Sequence, residues 1–318
     1  MKPKIFVVIP AFNEEGRVGK VIREIPRSLV EEVIVVNDNS SDGTAAEATT
    51  AGAKVISHNR NLGVGAAIKT GYYEALRRKA NITLIIAGDG QHDPSEIPKL
   101  VEPILNNDAD YIVGDRLSHP SSEMPTLRYL GNRLLTFLTR LFTKLDVKDS
   151  QCGYTAITSE SLKKINLEFV SDKWGVPNDL LFECANKGLR VKYVPIKTIY
   201  GGRKSYISLP RYIFRVSTIL FRGYIRHLYF YHSLYVFSLS GAVLLLIGFV
   251  YGLYTVYETL KLGYRPPGIG SVILDATLIL AGVQLLVFGF LMDAIKMIER
   301  RVFELEKSAE VLNALLME

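Results

Sequence analysis

Cysteine, histidine and tryptophan are scarce in this chain of 318 residues, which contains two Cys, five His and one Trp. The two thiols, Cys152 and Cys184, are expected to remain reduced, so we predict no disulfide bond. No Ser-His-Asp order is visible, and the sequence therefore gives no support to a catalytic triad. Tandem repeats and low-complexity tracts are also missing, which argues for ordinary globular folding.

Two common nucleotide-binding motifs are absent as well. No Gly-x-Gly-x-x-Gly sequence follows the first predicted strand, Ile5–Pro10, so a standard dinucleotide site is excluded. A Walker A motif occurs nowhere in the chain. The glycine-rich stretch Asn61–Gly65 has a spacing that matches neither motif. Any nucleotide must therefore be bound by a different arrangement.

Charge is missing from two long segments, although the whole chain has a net charge of +6. Ser233–Tyr257 contains no charged residue and no His, and Ser271–Met292 contains only Asp275. Each segment exceeds the roughly 18–20 residues that a helix needs to cross a bilayer. We therefore predict two transmembrane helices, 233–257 and 271–292.

Basic residues beside these segments predict their orientation. The loop between them has two, Lys261 and Arg265. The outer flanks have more: Arg203, Lys204, Arg211, Arg215, Arg222 and Arg226 before the first segment, and Lys296, Arg300, Arg301 and Lys307 after the second. No cleavable signal peptide precedes the first strand. We expect a multi-pass protein of the cell membrane with both termini cytoplasmic. Its predicted parts are a cytoplasmic domain (1–206), a juxtamembrane amphipathic helix (207–232), an outer loop (258–270) and a cytoplasmic tail (293–318).

Strands and helices alternate through the first half of the chain. The predicted strands are Ile5–Pro10, Val33–Val36, Lys54–Ser57, Ile82–Ala87 and Tyr111–Val113. The predicted helices between them are Val18–Ile25, Thr44–Ala51, Ala66–Arg78 and Ser95–Leu105. This order indicates an α/β fold with a doubly wound, mainly parallel sheet.

Charged residues recur where the predicted strands end. Glu14, Asp38 and Asp89 each follow a strand, and Arg116 follows a fourth. Any one of the acids would be explained by capping of a following helix. Because parallel strands end at one edge of a sheet, their recurrence favours a shared site. Asp89 and Gln91 offer hard oxygen ligands, which suit Mg²⁺ or Mn²⁺ rather than zinc and would neutralise a diphosphate.

Four ordered motifs in this region resemble glycosyltransferase family 2. They are Val8-Ile9-Pro10-Ala11-Phe12-Asn13-Glu14, Val35-Val36-Asn37-Asp38-Asn39-Ser40-Ser41-Asp42-Gly43-Thr44, Asn59-Arg60-Asn61-Leu62-Gly63 and Gly88-Asp89-Gly90-Gln91-His92-Asp93-Pro94. Within that family the chain is similar to polyprenyl-phosphate glycosyltransferases of the dolichyl-phosphate mannose synthase type. The resemblance extends to about residue 206. It implies a GT-A fold.

The resemblance also implies roles on the donor side of the site. The residues that match the family's nucleotide-sugar motifs are Pro10, Phe12 and Glu14 beside the nucleoside, Val36 and Asp38 at the base and ribose, and Asp89, Arg203 and Lys204 at the phosphates. Arg203 and Lys204 also serve as juxtamembrane charges that fix orientation.

Metal and acceptor residues follow from the same resemblance. Asp89 and Gln91 would bind Mg²⁺ or Mn²⁺. Arg116, Arg128 and Asn132 would bind the lipid phosphate, and Asp89, Arg116 and Arg128 would be catalytic. Arg128 and Asn132 are four residues apart and so share a helix face.

The chain departs from the family pattern at one metal position. The pattern is Asp-x-Asp-x-Gln, and Ala87 occupies its first position. Metal binding would then rest on Asp89, Gln91 and the diphosphate itself. Asp149 and Gln151 resemble the acceptor-loop motif and would contact the sugar or shape that loop. Asp179 and Glu183 lie on a predicted helix in a region that approaches the sugar in the family.

Three segments carry apolar patterns of helical period. Thr126–Lys144 is amphipathic and would either lie in the membrane interface or pack on the domain core. Pro210–His227 stacks arginines on one face, which would either meet anionic headgroups or be a solvated basic face. In the tail, a heptad seam predicts either homo-oligomerisation or packing on the protein's own domain. Its members are Ile295, Ile298, Val302, Leu305, Ala309, Leu312 and Leu316.

These observations predict an inverting enzyme that moves a hexose from a GDP- or UDP-sugar to dolichyl or polyprenyl phosphate. Mannose, glucose and N-acetylglucosamine all fit, and no nucleic-acid partner is expected. A processive polysaccharide synthase is one alternative, but its Gln-x-x-Arg-Trp motif is missing, since Trp174 lacks that context. A non-catalytic module that binds nucleotide or lipid phosphate is the other, and Ala87 is its one support.

Overall fold

The computed structural model describes residues 2–118, 124–173, 175–199, 217–218, 221–225, 233–261 and 268–316. The chain divides into two compact units, Met1–Tyr224 and Ile225–Glu318.

The first unit alternates strands and helices. Its strands are β1 (Ile5–Ala11), β2 (Glu32–Asn37), β3 (Lys54–Ser57), β4 (Ile82–Ile85), β5 (Tyr111–Asp115), β6 (Thr155–Thr158) and β7 (Val191–Pro195). Its helices are α1 (Val18–Glu24), α2 (Thr44–Thr50), α3 (Val64–Arg77), α4 (Ile97–Leu105), α5 (Thr126–Thr143), α6 (Ser159–Lys164) and α7 (Val176–Asn186). Short 3₁₀ turns form at Pro94–Glu96 and Leu167–Phe169.

The strands form one seven-stranded sheet in the order β3-β2-β1-β4-β6-β5-β7. Strand β6 runs antiparallel to its neighbours β4 and β5, and every other pairing in the sheet is parallel. The predicted mainly parallel sheet is therefore confirmed. Six strands consequently end at the same edge, where ligands of open α/β sheets bind.

The core lies on both faces of the central strands. Strands β1, β2 and β4 are mostly apolar and almost wholly buried, as expected for parallel strands covered by helices on both sides. Helix α3 lies directly against β1, because a Cβ atom at Gly71 would come within 2.1 Å of Val8 Cγ1. A larger residue at Gly71 would push the helix off the sheet and disturb the loops at its carboxyl edge.

In its described residues, the second unit contains two long helices, α8 (Ser233–Lys261) and α9 (Ile269–Leu316). Tyr235–Lys261 and Ile269–Ile295 are long and apolar enough to cross a membrane, with a mean hydropathy of 2.2 each. Both are largely exposed, unlike the core helices of a soluble domain. The two helices approach closely at glycine, since a Cβ at Gly241 would lie 2.7 Å from the Gly282 carbonyl oxygen. Close packing at small residues is typical of helix pairs in membranes.

Two predicted segments are only partly covered by the structure. Of the predicted juxtamembrane helix 207–232, residues 217–218 and 221–225 are described and are helical, and the remainder lies outside the described residues. The predicted tail is helical to Leu316 and continues the second apolar segment without a break.

Candidate active site

Four of the predicted site residues lie at the shared carboxyl edge of the sheet. Asp38 and Arg116 directly follow β2 and β5, while Glu14 and Asp89 follow β1 and β4 within four residues. Their strands are parallel to one another, so the four residues reach the same edge, where β2, β1 and β4 are neighbours and β6 separates β4 from β5.

The loops after β1 and β2 are locked together by hydrogen bonds. Asn13 has a positive φ of 56° and accepts the Ser41 N–H at Oδ1, at 2.9 Å. The Glu14 N–H donates to Thr44 Oγ1 at 2.7 Å. The Glu14 carboxylate in turn accepts from Arg17 Nε at 2.6 Å. Beside these loops the Phe12 ring is 47% exposed, which leaves an aromatic surface open to a ligand.

Asp38 is buried and organises the neighbouring loop. Its two carboxylate oxygens accept the N–H groups of Leu62 and Gly63, at 2.9 and 2.7 Å. Burial raises the pKa of the Asp38 carboxyl, but these bonds and the one from His58 outweigh it, so the net shift is downward. Asp38 therefore stays ionised and fixes the turn at Gly63, whose φ of 106° favours glycine.

His58 is a member of the site that the sequence analysis missed. Its Nδ1 lies 2.7 Å from Asp38 Oδ1, and its Nε2 lies 2.9 Å from Thr70 Oγ1 on α3. The signal was present, since His58 directly follows β3 just as Asp38 follows β2. Its role is to hold Asp38 against the helix.

Asp89 and Gln91 form the turn predicted to hold a metal. Asp89 Oδ1 accepts the Gln91 N–H at 3.0 Å, and Gly90 between them has a φ of 76°. Both side chains are half-buried. Within the described part of the chain, no group of three or more His, Cys, Asp and Glu residues could hold a metal ion. One carboxylate and one amide still fit Mg²⁺ or Mn²⁺, which commonly take remaining ligands from phosphate and water.

His92 follows this turn and is hydrogen-bonded to the residue at its start, Ala87. Its ring is 6% exposed, stacks on Tyr154 with 4.9 Å between centroids, and accepts the Ala87 N–H at Nδ1 over 3.4 Å. Burial, helped by the charge of Arg116, lowers the pKa of His92 to about 3, although Asp149 acts in the opposite direction. The imidazole is therefore neutral, as its acceptor role requires.

Arg116 has a partner that the sequence analysis did not assign to it. Its Nε and Nη2 donate to the two oxygens of Asp149, at 2.7 and 3.0 Å. Both side chains are almost fully buried. Asp149 Oδ1 also accepts the Gln151 N–H at 2.9 Å. The predicted phosphate ligand thus lies in a bidentate ion pair that holds the loop after α5.

Helix α5 buries part of its polar side chains, namely Asn132, Thr136, Thr139 and Thr143. Asn132 is buried and donates from Nδ2 to Met124 Sδ at 3.6 Å, while Arg128, one turn earlier, is half-buried. Thr139 donates from Oγ1 to Asn178 Oδ1 on α7 at 2.9 Å. The opposite face carries Leu127, Leu130, Leu134, Phe137 and Leu141, which are 47–64% exposed.

Two further acids named in the sequence analysis, Asp179 and Glu183, accept backbone N–H groups of neighbouring loops. Asp179 Oδ2 accepts the Ser171 N–H at 2.9 Å, and Glu183 Oε2 accepts the Asn166 N–H at 3.2 Å. Both acids are buried and hold loops in place. Arg203 and Lys204 lie outside the described residues.

Known proteins resemble this chain along most of its length. The UDP-N-acetylglucosamine–dolichyl-phosphate N-acetylglucosaminyltransferase of Methanococcus voltae is 32% identical over 62% of this chain and 86% of its own. Glycosyltransferase AglJ of Haloferax volcanii is 29% identical over 95% of this chain and 98% of its own. An undecaprenyl-phosphate mannosyltransferase of Micrococcus luteus is 29% identical over 61% of this chain and 82% of its own.

Solved structures share the fold. Glucosyl-3-phosphoglycerate synthase from Mycobacterium tuberculosis, in complex with UDP, superposes with a TM-score of 0.56 at 24% identity. The match covers 70% of this chain and 80% of the synthase. The model of the family described as glycosyl transferase family 2 matches residues 6–165, about half of the chain. The predicted family and GT-A fold are thereby confirmed: this protein is a glycosyltransferase and belongs to glycosyl transferase family 2.

Proposed function

We propose that this protein transfers a hexose from a nucleotide-sugar to dolichyl or polyprenyl phosphate, with inversion at the anomeric carbon. The observation that carries the proposal is the similarity to relatives named for dolichyl and undecaprenyl phosphate, one of which transfers N-acetylglucosamine and another mannose. Because these relatives differ in their sugars, the choice of hexose and of GDP or UDP is left to experiment.

The donor nucleoside is proposed to bind over the interlocked loops after β1 and β2. Pro10, Phe12 and Glu14 would border it, and the exposed Phe12 ring offers an apolar face to a base. Val36 is buried in β2, and the Asp38 carboxylate is fully engaged with the loop at Gly63. We therefore propose that these two residues shape the base and ribose pocket. Arg203 and Lys204 remain predicted phosphate ligands.

A divalent cation at Asp89 and Gln91 would neutralise the charge of the donor diphosphate. The hard oxygen atoms of these two side chains fit Mg²⁺ or Mn²⁺. Structures of glucosyl-3-phosphoglycerate synthase, which shares the fold, are named for complexes of UDP with either ion.

The acceptor requires positioning more than activation. A lipid phosphate is already anionic near neutral pH, so its oxygen attacks the anomeric carbon without a strong general base. Arg128 and Asn132 are proposed to bind that phosphate from α5. The buried Arg116 is proposed to act through Asp149, by holding the loop that contains Gln151. In a single in-line displacement, that oxygen bonds to the anomeric carbon, the bond to the donor diphosphate breaks, and the nucleoside diphosphate leaves, which inverts the anomeric centre.

Helix α5 is proposed to lie at the membrane surface. Its exposed stripe of Leu and Phe would enter the headgroup region, while the buried Asn132, Thr136, Thr139 and Thr143 face the domain. Helices α8 and α9 would span the bilayer, with both termini cytoplasmic according to the positive charges beside them. The acceptor phosphate would then meet the soluble donor at the cytoplasmic face.

A panel of labelled GDP- and UDP-sugars, incubated with the full-length protein and polyprenyl phosphate in nanodiscs, tests the function. We expect one donor to give a lipid-linked monosaccharide that dilute acid releases. A polymeric product would indicate a processive synthase. Binding of nucleotide without any transfer, across the whole panel, would indicate a non-catalytic module.

A further inference from the structure

We propose that residues 221–224, which precede the first apolar segment in the chain, are positioning residues for the acceptor lipid. They dock on helices α5 and α7 of the first unit and thereby hold α5 in place. This inference rests on the proposed function, because Arg128 and Asn132 of α5 are the proposed ligands of the acceptor phosphate.

Helix α5 is attached to the first unit outside the main hydrophobic core. Among the described residues, the core cluster around the sheet contains side chains from the strands and from several helices, but none from α5. Leu135, the buried leucine of α5, packs instead on Phe182 of α7 in a separate small cluster. An element with few buried apolar contacts opens locally at a low cost in free energy. The position of α5 therefore depends on the side chains that complete this second cluster.

The segment 221–224 completes the second cluster. The Tyr224 ring packs against the Phe142 ring of α5, with 4.8 Å between the centroids and an angle of 31° between the planes. Tilted or offset pairs at such distances are favourable arrangements of aromatic rings. Leu138 of α5 packs on the same cluster. The segment thus adds an aromatic contact to an anchor that otherwise consists of few side chains.

A glycine permits this close approach. Gly223 is buried, and a Cβ atom placed on it would lie 2.9 Å from both Cδ2 and Cε2 of Phe182. The Phe182 ring has little room to move away, because it is 1% exposed and packs on Leu135. The backbone of the segment therefore lies directly on the ring, and a larger residue at position 223 would push the segment off α7.

The proposed acceptor ligands lie on the same helix as these contacts. Asn132 is one turn before Leu135, and Arg128 is one turn before Asn132. Because α5 is one continuous helix, a shift of its second half moves both ligands. A misplacement of about 1 Å can cost about 10²-fold in rate. The donor-side residues follow other elements, β1, β2 and β4, so donor binding should not depend on this docking.

Amide hydrogen exchange of the full-length protein in nanodiscs, followed by mass spectrometry, measures the docking. Gly223→Ala should speed exchange in α5 by at least about fivefold, the lower end for an overpacked contact, and leave exchange in β1 and β2 unchanged. Alanine forms helix better than glycine, so a weakened helix at 221–225 would not explain this result. Gly270→Ala on α9 is the matched control, since a Cβ there meets no described atom within 4 Å.

Two further pairs of variants locate the contact. Phe182→Leu lacks the Cε2 atom that the new Cβ would meet, so its combination with Gly223→Ala should lose less protection than the sum of the single variants. Tyr224→Ala should also speed exchange in α5, whereas Tyr224→Phe keeps the ring pair and should resemble the wild type. If Gly223→Ala does not fold, as judged by thermal unfolding, the Tyr224 pair decides.

Steady-state kinetics in nanodiscs separates positioning from general stability. Gly223→Ala and Tyr224→Ala should raise KM for polyprenyl phosphate by at least about fivefold. The calorimetric affinity for UDP or GDP should stay at the wild-type value in both variants. Tyr224→Phe should keep the wild-type KM.

Unchanged exchange of α5 in both Gly223→Ala and Tyr224→Ala would overturn the docking. Faster exchange with an unchanged KM for polyprenyl phosphate would overturn the positioning role, as would an equal loss of nucleotide affinity. The exchange measurement needs neither donor nor acceptor. If no donor gives transfer, the proposed function and the positioning role are both refuted, while the docking is still decided by exchange.

Discussion

Asp89 is the residue on which transfer should depend most directly. Its carboxylate is the one charged group among the proposed metal ligands, and its only described hydrogen bond is to Gln91 within that turn. Replacement by Ala should lower kcat/KM for transfer by at least about 10²-fold, the usual cost of removing one electrostatic contact to the developing charge. Asp108→Ala is a matched control, because Asp108 is exposed at the opposite edge of the sheet, before β5. Near-normal turnover in Asp89→Ala would refute the metal assignment.

Arg116 and Asp149 should respond to substitution as a structural unit. Removing one partner leaves the other as an unpaired buried charge, so Arg116→Met alone and Asp149→Leu alone should each destabilise the protein by about 3–5 kcal/mol. The double variant Arg116→Met with Asp149→Leu should lose much less than the sum of the two single losses. Denaturant unfolding in detergent measures all three. Additive losses would show that Arg116 contributes its stability through contacts other than Asp149.

Asp38 should make stability depend on pH in the acid range. Its pKa is lowered in the folded state, so its contribution is present above the unfolded value of about 3.9 and is lost as pH falls through the folded value. The gap in thermal midpoint between the wild type and Asp38→Asn should therefore narrow below about pH 4. A gap of equal size at pH 3 and pH 7 would mean that the ionised form of Asp38 is not the source of its contribution.

The place of each site residue in the fold was easier to predict from the sequence than the side chain with which it pairs. Asp38 and Asp89 could be placed at the sheet edge, because a buried apolar run directly precedes each acid. The pairing of Arg116 with Asp149 joins residues 33 apart, across α5, and no local pattern encodes it. His92 was likewise hidden, since its burial depends on Tyr154 from a distant loop.

At the level of elements, strands that begin from a long apolar run of residues could be predicted from the sequence. Strands without such a run could not. Five of the seven strands were predicted, although β4 ends at Ile85, two residues before the predicted end. The two missed strands, β6 and β7, are Thr-rich or half-exposed, so their patterns are weak. Strand β6 inserts antiparallel between β4 and β5. This pairing joins segments that are far apart in the sequence, so no local pattern predicts it.

The outward stripe of α5 should enter the membrane surface. Spin labels at Leu134→Cys and Phe137→Cys in liposomes should be more accessible to oxygen than to a water-soluble nickel complex. Leu105→Cys on α4 provides the matched control, because Leu105 is an exposed leucine of a different helix. Both native thiols are buried, which restricts labelling to the introduced cysteine. Equal accessibility at all three positions would indicate that α5 faces water.

For the same stripe, Leu134→Asp with Phe137→Asp should slow transfer to polyprenyl phosphate while nucleotide binding is preserved. Substitutions of exposed residues such as these normally change the free energy of unfolding by less than about 0.5 kcal/mol. Transfer rates in nanodiscs and calorimetric nucleotide affinity measure the two effects. Loss of both together would show that the variant is misfolded and that the stripe packs on protein.

On the scale of the whole molecule, the two apolar segments and the tail were predicted as separate parts. The structure joins the second segment and the tail in a single helix of 48 residues, α9. Apolar composition predicted which residues could span a membrane, but it does not show where a helix stops. The continuous helix matters for assembly, because it extends the heptad seam directly from the second apolar segment.

The tail is therefore predicted to join copies of the chain. A seam of about three heptads on a continuous helix can form a coiled coil, and its anchoring to a membrane helix raises the local concentration of partners. Crosslinking in detergent should give dimers or larger species of the full chain, and truncation after Arg301 should give monomers. Leu305→Lys with Leu312→Lys places charges in the seam and should act like the truncation. Glu306→Lys with Glu310→Lys, outside the seam, should leave the oligomer intact. An unchanged oligomer in the truncated protein would place the contact elsewhere.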